Sequence, residues 1–190
     1  ARSAGATANV DSLDDARTHI KRMKAVGAVS VKSYNQPRRD QRQQVLAAAA
    51  EEEIMVVPEG GSLLMHNLTQ IIDGHTGIEH AVPVAPLYED VLQLWSQTKV
   101  GYTPTLGIAY GGLFGERYWY SHTQVWKDER LLQFVPQSGV DSASRRVEQA
   151  PLEEYHHIDV ARSAHELHQR GVNVQLGAHG QREGLAAHWE

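Results

Sequence analysis

The sequence contains no cysteine. That excludes disulfides and every metal site built on thiolate, leaving imidazole, carboxylate and amine as the donors. No apolar run approaches the ~20 residues of a membrane-spanning helix, so no membrane partner is expected. No stretch has the basic, apolar, small-residue order of a signal peptide. An excess of positive charge is missing too: 18 Lys and Arg face 23 Asp and Glu, a net charge of −5 with histidine neutral. A chain of that sign is not expected to bind nucleic acid. The first strand is not followed by a glycine-rich phosphate turn. The sequence there reads Ser33-Tyr34-Asn35-Gln36-Pro37, which disfavours dinucleotide binding.

What remains is an ordinary globular composition. The 190 residues are 41% hydrophobic and 22% charged, enough for a single domain with a real core. Residues 1–10 are small and polar, a loose lead-in. The first residues, Ala1-Arg2-Ser3, and the last, His188-Trp189-Glu190, lead to the expectation that the chain is cut from a longer reading frame.

From residue 11 the chain alternates helix and strand. Asp11 or Ser12 caps a helix with Leu13, Ala16, Ile20 and Met23 on one face, and Gly27 stops it. Strand 28–34 follows. Helix 38–53 comes next, with Val45, Leu46 and Ala49 inward. Strand 54–57 is a continuous apolar run, as in strands buried on both faces, and it exits into Pro58-Glu59-Gly60-Gly61. Ser62 is expected to cap a third helix bearing Leu64, Leu68 and Ile71, which Asp73-Gly74 ends. Strand 77–80, helix 87–97 and strand 100–106 complete the regular part. Residues 107–152 form a long aromatic-rich insertion, suited either to a lid over a site or to a satellite apolar cluster. Helix 153–170, Gly171 and a last strand, 172–176, follow.

Alternating strands and helices imply an α/β fold with a parallel sheet, about five strands in all. In such sheets the carboxyl ends of the strands build the site. Here those ends carry Lys32, Glu59, His80, Thr105 and His179. Lys32 either snorkels to solvent or pairs with Glu59, or else is a lysine tuned for carboxylation. His80 and His179 are zinc-type donors or structural histidines. Glu59 is a ligand, a base or a helix-end charge. His156, His157, His165 and His168 belong to a solvated helical face. His66 points back to the site or outward, and His75 lies at the opposite, stability end. A phosphate cradle at Gly60-Gly61-Ser62 is a further alternative.

The segments Val31-Lys32-Ser33-Tyr34, Val57-Pro58-Glu59-Gly60-Gly61, Asp73-Gly74-His75-Thr76-Gly77-Ile78-Glu79-His80, Thr103-Pro104-Thr105-Leu106 and Leu176-Gly177-Ala178-His179-Gly180 resemble the amidohydrolase superfamily. The nearest type is the bacterial amidohydrolase fused to TolB-like propeller repeats. That resemblance implies a (β/α)8 TIM barrel. In the family, the first strand carries His-x-His, the fourth an often carboxylated lysine, the fifth and sixth a histidine each, and the eighth an aspartate. By order, Lys32 falls on the fourth-strand lysine and His80 on the sixth-strand histidine. Glu59 stands near the fifth-strand histidine, and His179 stands where the aspartate would be. The resemblance thus implies Lys32, His80 and His179 as metal ligands, with His179 and Glu59 in catalytic roles. The implied cofactor is a divalent metal, zinc first, in a two-metal site. The implied substrate of the intact parent is a small molecule or peptide-like compound, cleaved at an amide-type C–N bond by metal-activated water.

No His-x-His occurs in these 190 residues. The resemblance therefore implies a partial barrel, roughly strands four to eight, impaired or inactive alone and possessing no metal of its own unless the remaining donors suffice. The compartment is left open between bacterial cytoplasm and periplasm. The alternative is a catalytically silent α/β module that forms a homo-oligomer through its open barrel edges.

Overall fold

The computed structural model describes residues 9–34, 36, 38–108, 115–145 and 147–178. His179, most of the lead-in, and Tyr110 and Phe114 of the insertion lie outside them.

The order of elements follows the alternation. Helix α1 (Leu13–Ala25) leads to strand β1 (Ser30–Ser33), α2 (Arg39–Glu51) to β2 (Met55–Pro58), α3 (Leu64–Ile72) to β3 (Gly77–Glu79), and α4 (Glu89–Ser96) to β4 (Gly101–Thr103). The insertion holds α5 (Gly115–His122), α6 (Glu129–Leu132) and α7 (Gln137–Ser144), and α8 (His157–Gln169) leads to a last extended segment. The strands are shorter than the apolar runs suggest. The run 100–106 yields only a three-residue β4, because Pro104 has no N–H for the ladder. The expected last strand is reduced to one parallel bridge, Val174 to Tyr102.

All pairings are parallel and follow chain order. β1 lies beside β2 with Lys32 opposite Val57, and β3 beside β4 with Glu79 opposite Thr103. Between the two pairs runs a bridge from Glu59 to Glu79, reinforced by the Thr76 amide donating to the Val56 carbonyl at 2.9 Å. Side chains alternate across a strand. This register therefore places Val31, Ser33, Val56, Pro58, Ile78 and Tyr102 on one face, and Lys32, Glu59, Glu79 and Thr103 on the other.

The helices pack on the first face. Ala16 and Ile20 of α1 and Val45, Ala48 and Ala49 of α2 bury against Val56 and Val31. Ile71 of α3, Val91, Leu92 and Trp95 of α4, and Ala164 and Leu167 of α8 bury against Ile78, Val100, Tyr102 and Val172. Trp95 is the centre of this second cluster. Its ring lies 4.7 Å from that of Tyr102, and its indole N–H donates to the Val100 carbonyl at 2.9 Å. That satisfies its one polar atom where water cannot reach.

Four helices end in one and the same way. After α1, α2, α3 and α8, the residue past the cap takes a positive φ: Gly27 at 85°, Glu53 at 56°, Gly74 at 82° and Gly171 at 88°. Each donates its amide three residues back, and the next amide reaches five back, as in Ala28 to Met23, Ile54 to Ala49, His75 to Gln70 and Val172 to Leu167. This double bond reverses the chain directly into a strand. Between α2 and α3, an Arg39 fork holds the buried Asp73 carboxylate at 2.6 Å. Burial works to raise the Asp73 pKa, but Arg39 and Gln43 outweigh it and the net shift is downward.

The insertion builds its own small core from Trp119, Tyr120, Val125 and Val140. This is the satellite arrangement, joined to the sheet through Leu106, which also touches the Ala81–Val160 contact. The helix expected from residue 153 starts instead at His157, after a short 3-10 turn (Leu152–Glu154).

Candidate functional site

The site lies where β1, β2 and β3 end. β1 presents Lys32 one residue before its end. β2 continues past Pro58, so that the Glu59 amide donates to the Ser33 carbonyl at 3.3 Å and the Gly60 amide to the Glu79 carbonyl at 2.7 Å. These two bonds clamp Glu59 between neighbouring strands. Gly60 is required by that closeness, since a Cβ there would sit 2.8 Å from the Glu79 carbonyl oxygen. After β3, His80 donates its amide to the Thr103 carbonyl at 2.9 Å and takes φ 70°. A positive φ is costly for any side chain but glycine, and histidine is among the residues that tolerate it best. Thr105, at φ 50°, shows the same feature at the exit of β4.

Three of the side chains singled out in the sequence are brought together. The Lys32 ammonium is 2.7 Å from Glu59 Oε2, and His80 Nε2 is 3.8 Å from Glu59 Oε1. Lys32 also stands over the Tyr34 ring, 5.1 Å from its centroid. The lysine side chain remains 60% exposed, whereas those of Glu59 and His80 are 14% and 7% exposed. The lysine is solvated, and α1 and α2 pack on the other face of β1 and β2. Its pair with Glu59 therefore adds little stability, in the range of about 0–1 kcal/mol. Its effect is local: a positive charge beside a largely buried carboxylate, with an imidazole on the other oxygen.

Two neighbours complete the floor. Glu79, level with Glu59 across the bridge, accepts from the Thr103 hydroxyl at 3.1 Å. The Thr105 hydroxyl donates to the Thr103 carbonyl at 3.3 Å. Gly177 seals this side, since a Cβ there would meet Thr103 Cγ2 at 2.5 Å and Thr105 Oγ1 at 2.9 Å. Glu79 and Thr103 were not singled out in the sequence, although two-residue alternation combined with the strand register points to both. Among the described residues, no group of three or more His, Cys, Asp and Glu side chains is arranged to hold a metal ion. The cluster at the strand ends has two such donors, Glu59 and His80, plus the Lys32 amine.

The other histidines divide. His165 and His168 are exposed on α8, as a solvated face requires. His157 is not: it is 3% exposed, packed against Tyr118 at 4.8 Å and Trp119 at 4.9 Å. Burial, opposed only in part by Asp159, pushes its pKa down to about 4. His75 is buried at the entry of β3, with Nδ1 3.0 Å from the Gln70 carbonyl, and burial lowers its pKa too. His66 is half-buried on α3, its Nε2 3.1 Å from Gln70 Nε2 one turn on, and its pKa is lowered by burial and by Arg42. The phosphate alternative at Gly60-Gly61-Ser62 loses its donors. The Gly60 amide is spent on Glu79, and the Gly61 amide on Asn67 Oδ1 at 3.0 Å. Ser62 does not cap α3, whose cap position is Leu63.

No protein-family model matches the sequence, and no curated protein sequence matches it. Among solved structures, the fold is similar to that of a Xaa-Pro dipeptidase with methionine bound in its active site. The TM-score is 0.53 at 14% identity, over 94% of this chain and 42% of that one. It is also similar to an uncharacterized protein, with a TM-score of 0.51 at 15% identity, over 88% of this chain and 38% of that one. The chain thus spans about two fifths of the length of either. What it shares with them is a mixed α/β fold with short parallel strands.

Proposed function

We propose that this chain is part of a metal-dependent amidohydrolase that cleaves amide-type C–N bonds in a peptide-like substrate. The observation that carries the reading is the meeting of Lys32, Glu59 and His80 at three successive strand ends. Two features of the fold favour an arc of a (β/α)8 barrel over a doubly wound sheet. The strands follow chain order, and among the described residues α1, α2, α3, α4 and α8 all pack on the same face. Similarity of fold to a dipeptidase supports a hydrolase.

The donor set fits a borderline or hard divalent ion: a carboxylate oxygen, an imidazole nitrogen and a lysine, which serves as an oxygen ligand once carboxylated. Zinc is the first candidate. When bound, the metal supplies Lewis acidity toward a substrate carbonyl and makes water nucleophilic at neutral pH. Glu59 and His80 would hold the ion, joined by carboxylated Lys32 and by His179, which lies outside the described residues. Glu59 would take a proton from the incoming water and return it to the leaving nitrogen, and carboxylation of Lys32 would exchange its ion pair with Glu59 for a carbamate ligand. Lacking a His-x-His pair, the chain alone is expected to bind metal weakly and turn over slowly.

The test is metal uptake by the purified protein. Zinc or manganese should bind to the wild type, and Lys32→Ala or His80→Ala should weaken binding at least about ten-fold. A wild type that takes up neither metal overturns the reading.

A second reading rests on a separate observation. The sheet face opposite the helices carries Met55, 46% exposed, and β1 has an unpaired outer edge among the described residues. A catalytically silent module that pairs with a second copy of itself would cover both. Light scattering that shows a stable monomer at micromolar concentration rejects this.

A further inference from the structure

Helix α3 carries two amides where its amphipathic pattern calls for apolar side chains. Asn67 and Gln70 are 0% and 1% exposed, on the same face as Ile71. Neither serves the helix. The Asn67 carboxamide faces the backbone of Gly61 and satisfies both its groups: Oδ1 accepts from the Gly61 amide at 3.0 Å, and Nδ2 donates to the Gly61 carbonyl at 2.8 Å. The side chain thus imitates a strand neighbour for one residue. Gln70 Nε2 reaches the carbonyl of Glu59 itself at 3.4 Å. Burying a primary amide is costly unless its hydrogen bonds are made, so the paired Asn67 bonds fix the loop to the helix in a single arrangement. Gln70 instead divides between the loop and His66 and leaves its Oε1 without a hydrogen bond among the described residues. The loop begins with Glu59.

We propose that Asn67 is a positioning residue for Glu59. Its paired bonds to Gly61, together with the Gly60–Glu79 bond, set the direction in which the chain leaves β2. That direction determines where the Glu59 carboxylate stands between Lys32 and His80. The inference rests on the reading of Glu59 as a site residue, and the experiment separates the two.

Asn67→Ser and Asn67→Asp are compared with the wild type by amide hydrogen exchange and by zinc titration. Exposed Ser62→Ala in the same loop is the control. In Asn67→Ser the Gly61 amide should exchange at least about ten-fold faster, while the Tyr102 amide in the sheet keeps its rate. Zinc affinity should fall by about 10- to 100-fold in both Asn67 variants and stay unchanged in Ser62→Ala. In a Glu59→Gln background the Asn67 substitution should have no further effect on zinc, because a positioning role vanishes with the group positioned. A purely structural role would persist in that background and overturn the proposal. So would wild-type exchange at Gly61 in Asn67→Ser. Should the wild type bind no zinc, the metal reading fails, and the Glu59 carboxylate NMR signal decides the positioning role: displaced in Asn67→Ser but not in Ser62→Ala it supports the proposal, and unmoved in Asn67→Ser it overturns it.

Discussion

Glu53 occupies a place where the chain elsewhere puts glycine. Its φ of 56° and its paired bonds match those at Gly27, Gly74 and Gly171. The three glycines were legible as helix stops because glycine after an apolar-periodic stretch has one common use. Glu53 was not, since nothing in a glutamate marks a left-handed residue. A left-handed conformation costs an L-residue about 1–2 kcal/mol, part of which glycine returns through its looser unfolded chain. Glu53→Gly is therefore expected to stabilise by about 0.5–1 kcal/mol, a rise in melting temperature of roughly 1–3 °C by calorimetry. An unchanged or lower melting temperature would show that Glu53 gains elsewhere what its backbone loses. That Lys32, Glu59 and His80 stand together follows from a different pattern: each comes near or just past the carboxyl end of a strand in the helix–strand alternation. His157 was misplaced on a solvated face. Its spacing of three, seven and ten residues from Val160, Ala164 and Leu167 puts it in their buried row wherever the helix starts, and only its residue type suggested a solvated face.

At the scale of elements, the alternation of helix and strand was plain in the sequence, while strand length was not. Hydrophobic runs record burial, and burial outlasts hydrogen-bonded pairing where proline removes a donor, as at Pro104. The β2–α3 loop was also misjudged. Ser62 looked like a cap, yet Asn67 orders the loop from inside the helix, a contact across six residues that no local capping rule describes. Two adjacent glycines in this loop make the strongest test of its geometry. A Cβ on Gly60 would lie 2.8 Å from the Glu79 oxygen and 3.1 Å from Ile78 Cγ2, whereas one on Gly61 meets nothing within 4 Å. The Glu79 oxygen cannot retreat without losing the Gly60 hydrogen bond. Gly60→Ala is expected to cost about 1–3 kcal/mol in urea unfolding and to lower metal uptake by displacing Glu59. Gly61→Ala should be within about 0.5 kcal/mol of the wild type. Equal effects at the two positions would contradict the clamp between β2 and β3.

Taken whole, the molecule has cores of unequal size. The sheet and its helices bury Ile71, Ile78, Trp95, Tyr102 and Leu167 in a common cluster, whereas the insertion rests on Trp119, Tyr120, Val125 and Val140. Regions with a small core open at lower free energy. His157 sits on the boundary, in α8 but against Tyr118 and Trp119 of the insertion, with both ring nitrogens buried and no hydrogen-bond partner among the described residues. Asp159 favours its proton and His122 opposes it, and burial outweighs both. Its folded pKa of about 4 lies below the unfolded value near 6.5. Between those values the unfolded chain binds a proton that the folded one refuses, so stability is complete above about pH 6.5 and falls as pH drops toward 4. The full shift corresponds to at most roughly 3 kcal/mol. His75, also buried with a lowered pKa, adds to the same trend from inside the sheet region. Amide exchange followed from pH 7.5 to 5 should therefore show protection lost first in α5 and α7, with β4 and α4 retained. His157→Phe, which keeps an aromatic ring at the boundary without a titrating group, should flatten the pH dependence in the insertion alone. Loss of protection at the same pH throughout the chain, or an unaltered profile in His157→Phe, would show that the insertion and the sheet open as one unit.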